Sequence, residues 1–144
     1  MLSSSIKKQM KNDKQFIGCY AKDKLPKKLS KLYPKKVVIN TSSSMNRGEH
    51  WVAMILFKTT CFYFDSFGLG IMDQEMLDFL IKLNYKSYIY NNKCIQHFKS
   101  EKCGQFCIKF LKNVHSRKSY HEFLQKFNYY DLKKNDTIVK KIKT

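Results

Sequence analysis

The feature that most constrains the fold of this chain is a run of seven consecutive apolar residues, Trp51 to Phe57. A half-exposed strand alternates apolar and polar residues, whereas this run shows no alternation, which is typical of a central strand covered on both faces. A polar break, Lys58 to Thr60, follows the run, and the strand pattern resumes at Cys61 to Phe64. These segments predict an antiparallel hairpin at the centre of a buried sheet.

The rest of the chain predicts helices and short strands on both sides of this hairpin. In chain order these are a loosely held helix within residues 1–15, an apolar patch at 16–20, a strand at 37–40, a helix at 73–83 with Asp73 as its N-cap, a strand at 88–90, a helix that Cys103 immediately precedes, a further helix at 120–127 and a frayed lysine-rich end after Asp131. This mixture indicates an α+β fold, with a small mixed sheet flanked by helices. The 144 residues are enough for a single domain, which we assign to residues 1–144, and too few for two separate cores.

Lysine gives the chain a high positive charge. There are 28 Lys and Arg residues against 11 Asp and Glu, which is a formal net charge of +17. Residues 1–36 carry a net charge of +9 and residues 112–144 carry +6, whereas residues 37–111 carry only +2. Basic N- and C-terminal stretches around a nearly neutral middle favour a polyanionic partner, with nucleic acid first and an anionic membrane second. The alternative is a lysine bias that only keeps the protein soluble.

The number of cysteines and the lengths of the apolar segments indicate the cellular compartment in which the protein is expected. Five cysteines are an odd number, so a disulfide framework is not expected and at least one thiol is free. The first residues lack the continuous apolar stretch of a signal peptide, and the longest apolar run is far below the ~20 residues of a membrane span. We therefore expect a reducing, intracellular compartment and no membrane association.

Three residues are placed where they can form a nucleophilic site. His50 opens the first strand of the hairpin, Asp65 follows the second, and Cys103 stands at the start of a helix. A turn centred near Thr59 puts His50 and Asp65 at the same end of the sheet, where the carboxylate can orient the imidazole. A cysteine at a helix start favours the thiolate, because unpaired backbone N–H groups and the helix dipole stabilise negative charge. Thiol, base and orienting acid are the parts of an activated nucleophile, although spacing alone also allows an ordinary surface histidine and a buried structural cysteine.

The local sequence motifs around these residues indicate a function more specifically than their spacing does. Gly-Glu-His-Trp at 48–51 is followed by Cys-Phe-Tyr-Phe-Asp-Ser-Phe-Gly at 61–68, then by Gln96, and seven residues later by Cys-Gly-Gln-Phe-Cys at 103–107. Four separate matches in this order resemble the adenovirus protease (adenain) family. The chain is more distantly similar to the ubiquitin-like-protein-specific proteases. The resemblance extends over roughly residues 16–114 and is firmest between Gly48 and Leu111.

The resemblance implies a role for each matching residue and a papain-like, adenain-like fold. Cys103 is the nucleophile, His50 is the general base, and Asp65 is the acid that orients it. Gln96 resembles the glutamine of the oxyanion hole, whose side-chain amide pairs with the Cys103 backbone N–H. An amide donor directed at a developing oxyanion stabilises the tetrahedral intermediate, so the chemistry agrees with this role. Trp51 resembles the residue that packs beside the catalytic histidine.

The resemblance further implies a thiol endopeptidase of a DNA virus or a virus-like transposon. Its substrates would be precursor capsid or core proteins, cut beside small residues such as glycine. It implies no metal or organic cofactor, but DNA as an activator that binds without sequence specificity. We expect a protein that works in the virion or the host nucleus, and favour a monomer.

Other functions are compatible with parts of the sequence. The same site can act on ubiquitin-like conjugates, and the same order of triad residues occurs in bacterial effectors that transfer acetyl groups. A basic DNA-packaging protein without catalysis explains the charge but does not require the positioned His, Asp, Gln and Cys. Zinc binding is a further alternative, although the spacing lacks paired C-x2-C knuckles. Its ligands would be Cys94, His97, Cys103 and Cys107.

Overall fold

The computed structural model describes residues 1–42 and 50–144, and it places a single sheet at the centre of these residues. The strands are β1 (Phe16–Ala21), β2 (Lys35–Asn40), β3 (Trp51–Leu56), β4 (Cys61–Phe64) and β5 (Tyr88–Tyr90). The helices are α1 (Ser3–Met10), α2 (Gln74–Lys82), α3 (Cys103–Asn113), α4 (Arg117–Gln125) and α5 (Asn135–Lys141). The protein therefore has the α+β fold that the sequence predicts.

The sheet is mixed, with its strands in the order β1-β2-β3-β4-β5. β2, β3 and β4 pair antiparallel, while β1 and β5 run parallel to their neighbours at the two edges. The hairpin of β3 and β4 is thus confirmed, but its predicted register is wrong by one residue. A turn centred on Thr59 would put Ala53 opposite Asp65, whereas Ala53 pairs with Phe64. The tight connection explains the shift, because the Phe57 N–H donates to the Thr60 carbonyl at 2.8 Å and closes the turn.

β3 is covered on both faces, which explains why its residues do not alternate in polarity. Ala53 and Ile55 belong to a core cluster that includes the apolar face of α3. Val52 and Met54 point to the other side and pack in a second cluster with residues of α2. Because each side chain of β3 enters one of two cores, every position of the strand is buried.

α3 is the helix around which the ends of the chain assemble, since α1, α4 and α5 all contact it. Ile6 of α1 and Val139 of α5 are fully buried. The expectations of a loosely held N-terminal helix and a frayed C-terminal end are therefore wrong. Among residues 1–42 and 50–144, no helix combines the length and the apolar content that a membrane crossing requires.

Asp73 occupies the N-cap position of α2, as predicted, but it does not cap the helix with its side chain. Its Oδ1 instead accepts a hydrogen bond from Lys22 Nζ at 2.7 Å. This ion pair attaches α2 to the segment that follows β1.

Candidate active site

The Cys103 side chain lies at the first turn of α3, where it is only 4% exposed. Its thiol interacts with His50 and with the backbone at Trp51 and Gly104. Helix α3 carries the thiol to the end of the sheet because its apolar residues pack on β3 behind it. Cys107 lies one turn further along, inside the core, with its Sγ 3.3 Å from the Trp51 carbonyl oxygen. The two thiols of the motif are therefore in different environments, one at a cleft and one in the core.

His50 stands directly before β3, and its ring is held from two directions. Its Nε2 lies 2.7 Å from Asp65 Oδ1. The Phe67 ring stacks on the imidazole with ring centroids 4.7 Å apart. A hydrogen bond in the ring plane and an aromatic face against it fix both the position and the rotation of the base.

Asp65 directly follows β4, and its backbone is held by a residue that the sequence analysis did not identify. Asn91 Oδ1 accepts a hydrogen bond from the Asp65 N–H at 3.2 Å, and Asn91 Nδ2 donates to the Asp65 carbonyl at 2.6 Å. The Asp65 carboxylate also accepts a hydrogen bond from the Phe67 N–H at 2.9 Å. Both Asp65 and Asn91 are buried, so these bonds act with little competition from water.

The electrostatics of the site favour an ion pair between Cys103 and His50. Burial alone would raise the pKa of the Cys103 thiol, but hydrogen bonds with His50 and the backbone of Trp51 lower it below its ordinary value. Burial alone would lower the pKa of His50, but hydrogen bonds with Asp65 and Cys103 outweigh it and raise that pKa to about 9. The thiolate and the imidazolium therefore stabilise each other.

Cys107 shows the opposite behaviour. Complete burial raises the pKa of its thiol well above the ordinary value. Its sulfur is therefore a neutral, inert thiol, consistent with a packing role.

Gln96 lies on the loop between β5 and α3 and is 1% exposed. Its Oε1 accepts a hydrogen bond from the Ser66 hydroxyl, and its Nε2 donates to the Ser100 carbonyl at 2.8 Å. One N–H of the amide thus remains after these two bonds. Because Gln96 is buried, it is not an ordinary loop residue exposed to solvent.

A cleft of about 980 Å3 connects these groups, and His50, Gln96 and Cys103 all line it. The structure therefore brings the predicted residues together, with Asp65 behind the imidazole. The walls of the cleft also include the rings of Trp51 and Phe67. Gly48 and Glu49, which belong to the motif before Trp51, lie outside the described residues.

The N-terminal residues form one wall of this cleft, which the sequence analysis did not predict. Met1 and Leu2 line it, and the Trp51 Nε1–H donates to the Met1 carbonyl at 3.0 Å. Met1 also packs over Gly104, where an added Cβ would lie 3.0 Å from its sulfur. A residue larger than glycine at position 104 would therefore displace this wall.

The zinc alternative finds no support in the described part of the chain. No three side chains among its His, Cys, Asp and Glu residues converge as metal ligands. Cys94 instead directs its sulfur to the Gln96 carbonyl oxygen, 3.1 Å away. All five cysteines are present as thiols.

The sequence model of the adenovirus endoprotease family matches residues 16–134 of this chain. The chain belongs to the adenovirus endoprotease family. The matched range includes His50, Asp65, Gln96 and Cys103, and it leaves α1 and α5 outside. Membership of the adenovirus endoprotease family makes this chain a relative of cysteine proteases, as the motifs imply.

Two solved structures are similar to this chain. The central domain of an uncharacterised Legionella pneumophila protein, Lpg1148, has a TM-score of 0.53 at 13% identity, over 97% of this chain and 91% of that chain. At this identity the likeness concerns the fold alone. The crystal structure of an ASFV protease matches with a TM-score of 0.46 and 18% identity over 73% of this chain, which spans only 42% of that protease. A comparison with curated protein sequences finds no match.

Proposed function

We propose that this protein is a viral cysteine endopeptidase that cleaves precursor proteins of a capsid or core. The observation that carries the proposal is the contact of His50 with both Asp65 and Cys103 at the edge of an open cleft. A nucleophile, a base and an orienting acid in this order are the requirements of thiol-dependent acyl transfer. Membership of the adenovirus endoprotease family supports the same reaction.

In the first half of the proposed reaction, the Cys103 thiolate attacks the carbonyl carbon of the scissile bond. The negative charge moves to the carbonyl oxygen, which accepts hydrogen bonds from the Gln96 amide and the Cys103 backbone N–H. The tetrahedral intermediate then collapses, the C–N bond breaks, and the His50 imidazolium protonates the leaving amine. The product is a thioester between Cys103 and the acyl part of the substrate.

In the second half, His50 is neutral and acts as the base. It removes a proton from a water molecule, whose oxygen attacks the thioester carbonyl. The C–S bond breaks, the acid product leaves, and Cys103 again forms an ion pair with protonated His50. Asp65 keeps Nε2 of the ring occupied throughout, so the nitrogen that exchanges protons is Nδ1.

A preference for glycine beside the scissile bond belongs to the proposal. Trp51, which follows the catalytic histidine in sequence, and Phe67, whose ring stacks on the imidazole, both line the cleft. Bulky walls beside the reacting atoms favour a small residue at the cut. This preference follows from the resemblance and is compatible with the shape of the cleft.

Stimulation by DNA is the second specific part of the proposal. The two basic ends of the chain are distant in sequence, but α1 and α5 both pack on α3. Gln9, Lys109 and Lys140, one from each of these helices, line the same surface depression. α1 and α5, which belong to the two basic stretches, therefore border one surface, along which a phosphate backbone can be bound without base-specific contacts. DNA is abundant in the virion and the host nucleus, where we place the protein.

A cleavage assay on a peptide library tests the proposal. The purified protein and a Cys103→Ala variant are incubated with proteome-derived peptides under reducing conditions, with and without duplex DNA, and new amino termini are sequenced. We expect cuts beside glycine that require Cys103 and become more frequent with DNA. Exclusive processing of ubiquitin-like fusions in a parallel incubation would favour the deconjugating alternative. The absence of any Cys103-dependent cut would support a non-catalytic packaging protein.

A further inference from the structure

Ser66 is a buried residue next to the catalytic acid that has no role in the mechanism described above. Its side chain is fully buried. Its carbonyl accepts hydrogen bonds from the Ile95 N–H at 2.8 Å and from the Gln96 N–H at 3.1 Å. Its hydroxyl donates to Gln96 Oε1. Ser66 therefore holds both the backbone and the side chain of Gln96.

The hydroxyl bond selects one of the two orientations of the Gln96 amide. A side-chain amide has one acceptor oxygen and an NH2 group with two donors. The oxygen is engaged by Ser66, and the first N–H donates to the Ser100 carbonyl. Rotating the amide by half a turn would bring its oxygen against the Ser100 carbonyl oxygen, and two buried acceptors facing each other are unfavourable.

We propose that Ser66 is a positioning residue that holds the Gln96 amide with its remaining N–H available to the oxyanion. This inference rests on the proposed function, in which Gln96 stabilises the tetrahedral intermediate. Without the Ser66 hydroxyl, Oε1 loses its donor, and only the bond to the Ser100 carbonyl still opposes rotation of the amide. A rotated amide presents oxygen instead of N–H to a developing negative charge.

The location of Ser66 gives this bond a second consequence. Asp65 and Ser66 are consecutive residues, so the acid that orients His50 and the hydroxyl that orients Gln96 lie on one short segment. Asn91 holds the backbone of this segment through both the N–H and the carbonyl of Asp65. The base and the oxyanion donor are thereby kept in a fixed spatial relation.

Kinetics of single and double variants test the inference on a peptide that the wild type cleaves. Gln96→Ala should lower kcat by ~100-fold or more with little change in KM, which is the usual effect of losing one oxyanion donor. Ser66→Ala should lower kcat by about 10-fold, also with little change in KM, because the amide spends only part of its time in the productive orientation. In the Gln96→Ala background, Ser66→Ala should cause no further loss, since no amide remains to be oriented.

Two controls separate positioning from a general structural effect. Ser116→Ala removes the capping hydroxyl of α4 far from the cleft and should leave kcat unchanged. Ser66→Cys preserves the size of the side chain while replacing a strong donor with a weak one, and it should resemble Ser66→Ala in kcat. If Ser66→Ala fails to fold by circular dichroism, Ser66→Cys serves in the double-variant comparison.

The outcomes distinguish this inference from the proposed function. Full kcat in both Ser66 variants, or an equal further loss in the Gln96→Ala background, would overturn the positioning role and leave the protease assignment intact. A wild-type protein without Cys103-dependent cleavage would overturn the proposed function and the positioning role together. A change confined to KM would show that Gln96 contacts the bound substrate rather than the transition state, and it would overturn the positioning role of Ser66.

Discussion

The nitrogen of His50 that faces Asp65 is Nε2, at 2.7 Å from Oδ1, which leaves Nδ1 for the Cys103 thiol. The acid thus lies on the far side of the ring from the nucleophile. With both nitrogens engaged, the protonated ring donates in two directions and is stabilised as the imidazolium. This arrangement accounts for the raised pKa of His50 and for the lowered pKa of Cys103.

Replacement of the nucleophile should abolish cleavage without unfolding the protein. Cys103→Ala removes only one sulfur atom at the edge of the cleft, so the circular dichroism spectrum should not change. Cleavage should fall to background, because no other thiol lines the cleft among the described residues. Turnover equal to that of the wild type would contradict the assignment of Cys103.

Alkylation offers an independent measurement of the same assignment. Iodoacetamide reacts with thiolates, so Cys103 should be labelled faster than Cys107, whose burial raises the pKa of its thiol. Peptide mapping by mass spectrometry at short times measures the two rates. Faster labelling of Cys107 would be incompatible with its position in the core.

The base and the acid should differ in how much activity depends on them. His50→Ala removes the group that moves the proton and should lower kcat almost as far as Cys103→Ala. Asp65→Asn leaves the base in place and should retain roughly 10- to 100-fold more activity, since the acid only orients and stabilises the ring. Single-turnover rates compare the two variants, and a His50→Ala protein that kept most of its kcat would reverse this ranking.

The pH dependence of kcat/KM should be bell-shaped, with its alkaline limb near pH 9. Below the lowered pKa of Cys103, the sulfur is protonated and cannot attack. Above about pH 9, His50 loses the proton that it must give to the leaving amine. Asp65→Asn removes one cause of the raised pKa of His50, so its alkaline limb should move to lower pH. An alkaline limb in the same place in both proteins would show that another group controls it.

Sequence patterns predict the elements that carry the site because those elements are apolar segments bounded by polar residues. β3, β4 and β5 and the start of α3 lie where the patterns place them. The register of the hairpin depends on the geometry of a single turn. The four residues of that turn show no sequence pattern that distinguishes one register from the next. The prediction that His50 lies near Asp65 does not depend on the exact register, because both residues lie just outside the paired strands.

The residues that support the site, Ser66 and Asn91, cannot be predicted from the sequence for a different reason. Ser66 and Asn91 act through hydrogen bonds to partners that are 30 and 26 positions away in the chain. A single buried Ser or Asn has no periodicity that would reveal its partner. The sequence does not predict α5, because only a short side of this helix is buried and most of its other residues are polar. Such a composition is also typical of a solvated chain end.

The last prediction concerns the charge at the C-terminal end. Deleting the residues after Asp131 would remove α5 and the buried Val139, so charge is better removed by substitution than by truncation. A variant with Gln at the exposed lysines 140, 141 and 143 keeps the helix and loses three positive charges. A matched control carries Gln at the exposed lysines 58, 82 and 86, which lie in the nearly neutral middle of the chain.

We expect the wild type to bind duplex DNA with ~micromolar or tighter affinity at low salt, and affinity to fall steeply as salt rises, because each lysine–phosphate contact releases a counterion. The C-terminal variant should have a salt slope that is smaller by up to about 3, since each contact contributes about 0.9. Its peptide cleavage without DNA should equal that of the wild type, and the control should retain the wild-type slope. Titrations at two salt concentrations, with fluorescent duplexes of unrelated sequence, measure these quantities. If the wild type shows no DNA affinity at the lower salt concentration, the lysines are solvated surface and DNA stimulation is wrong.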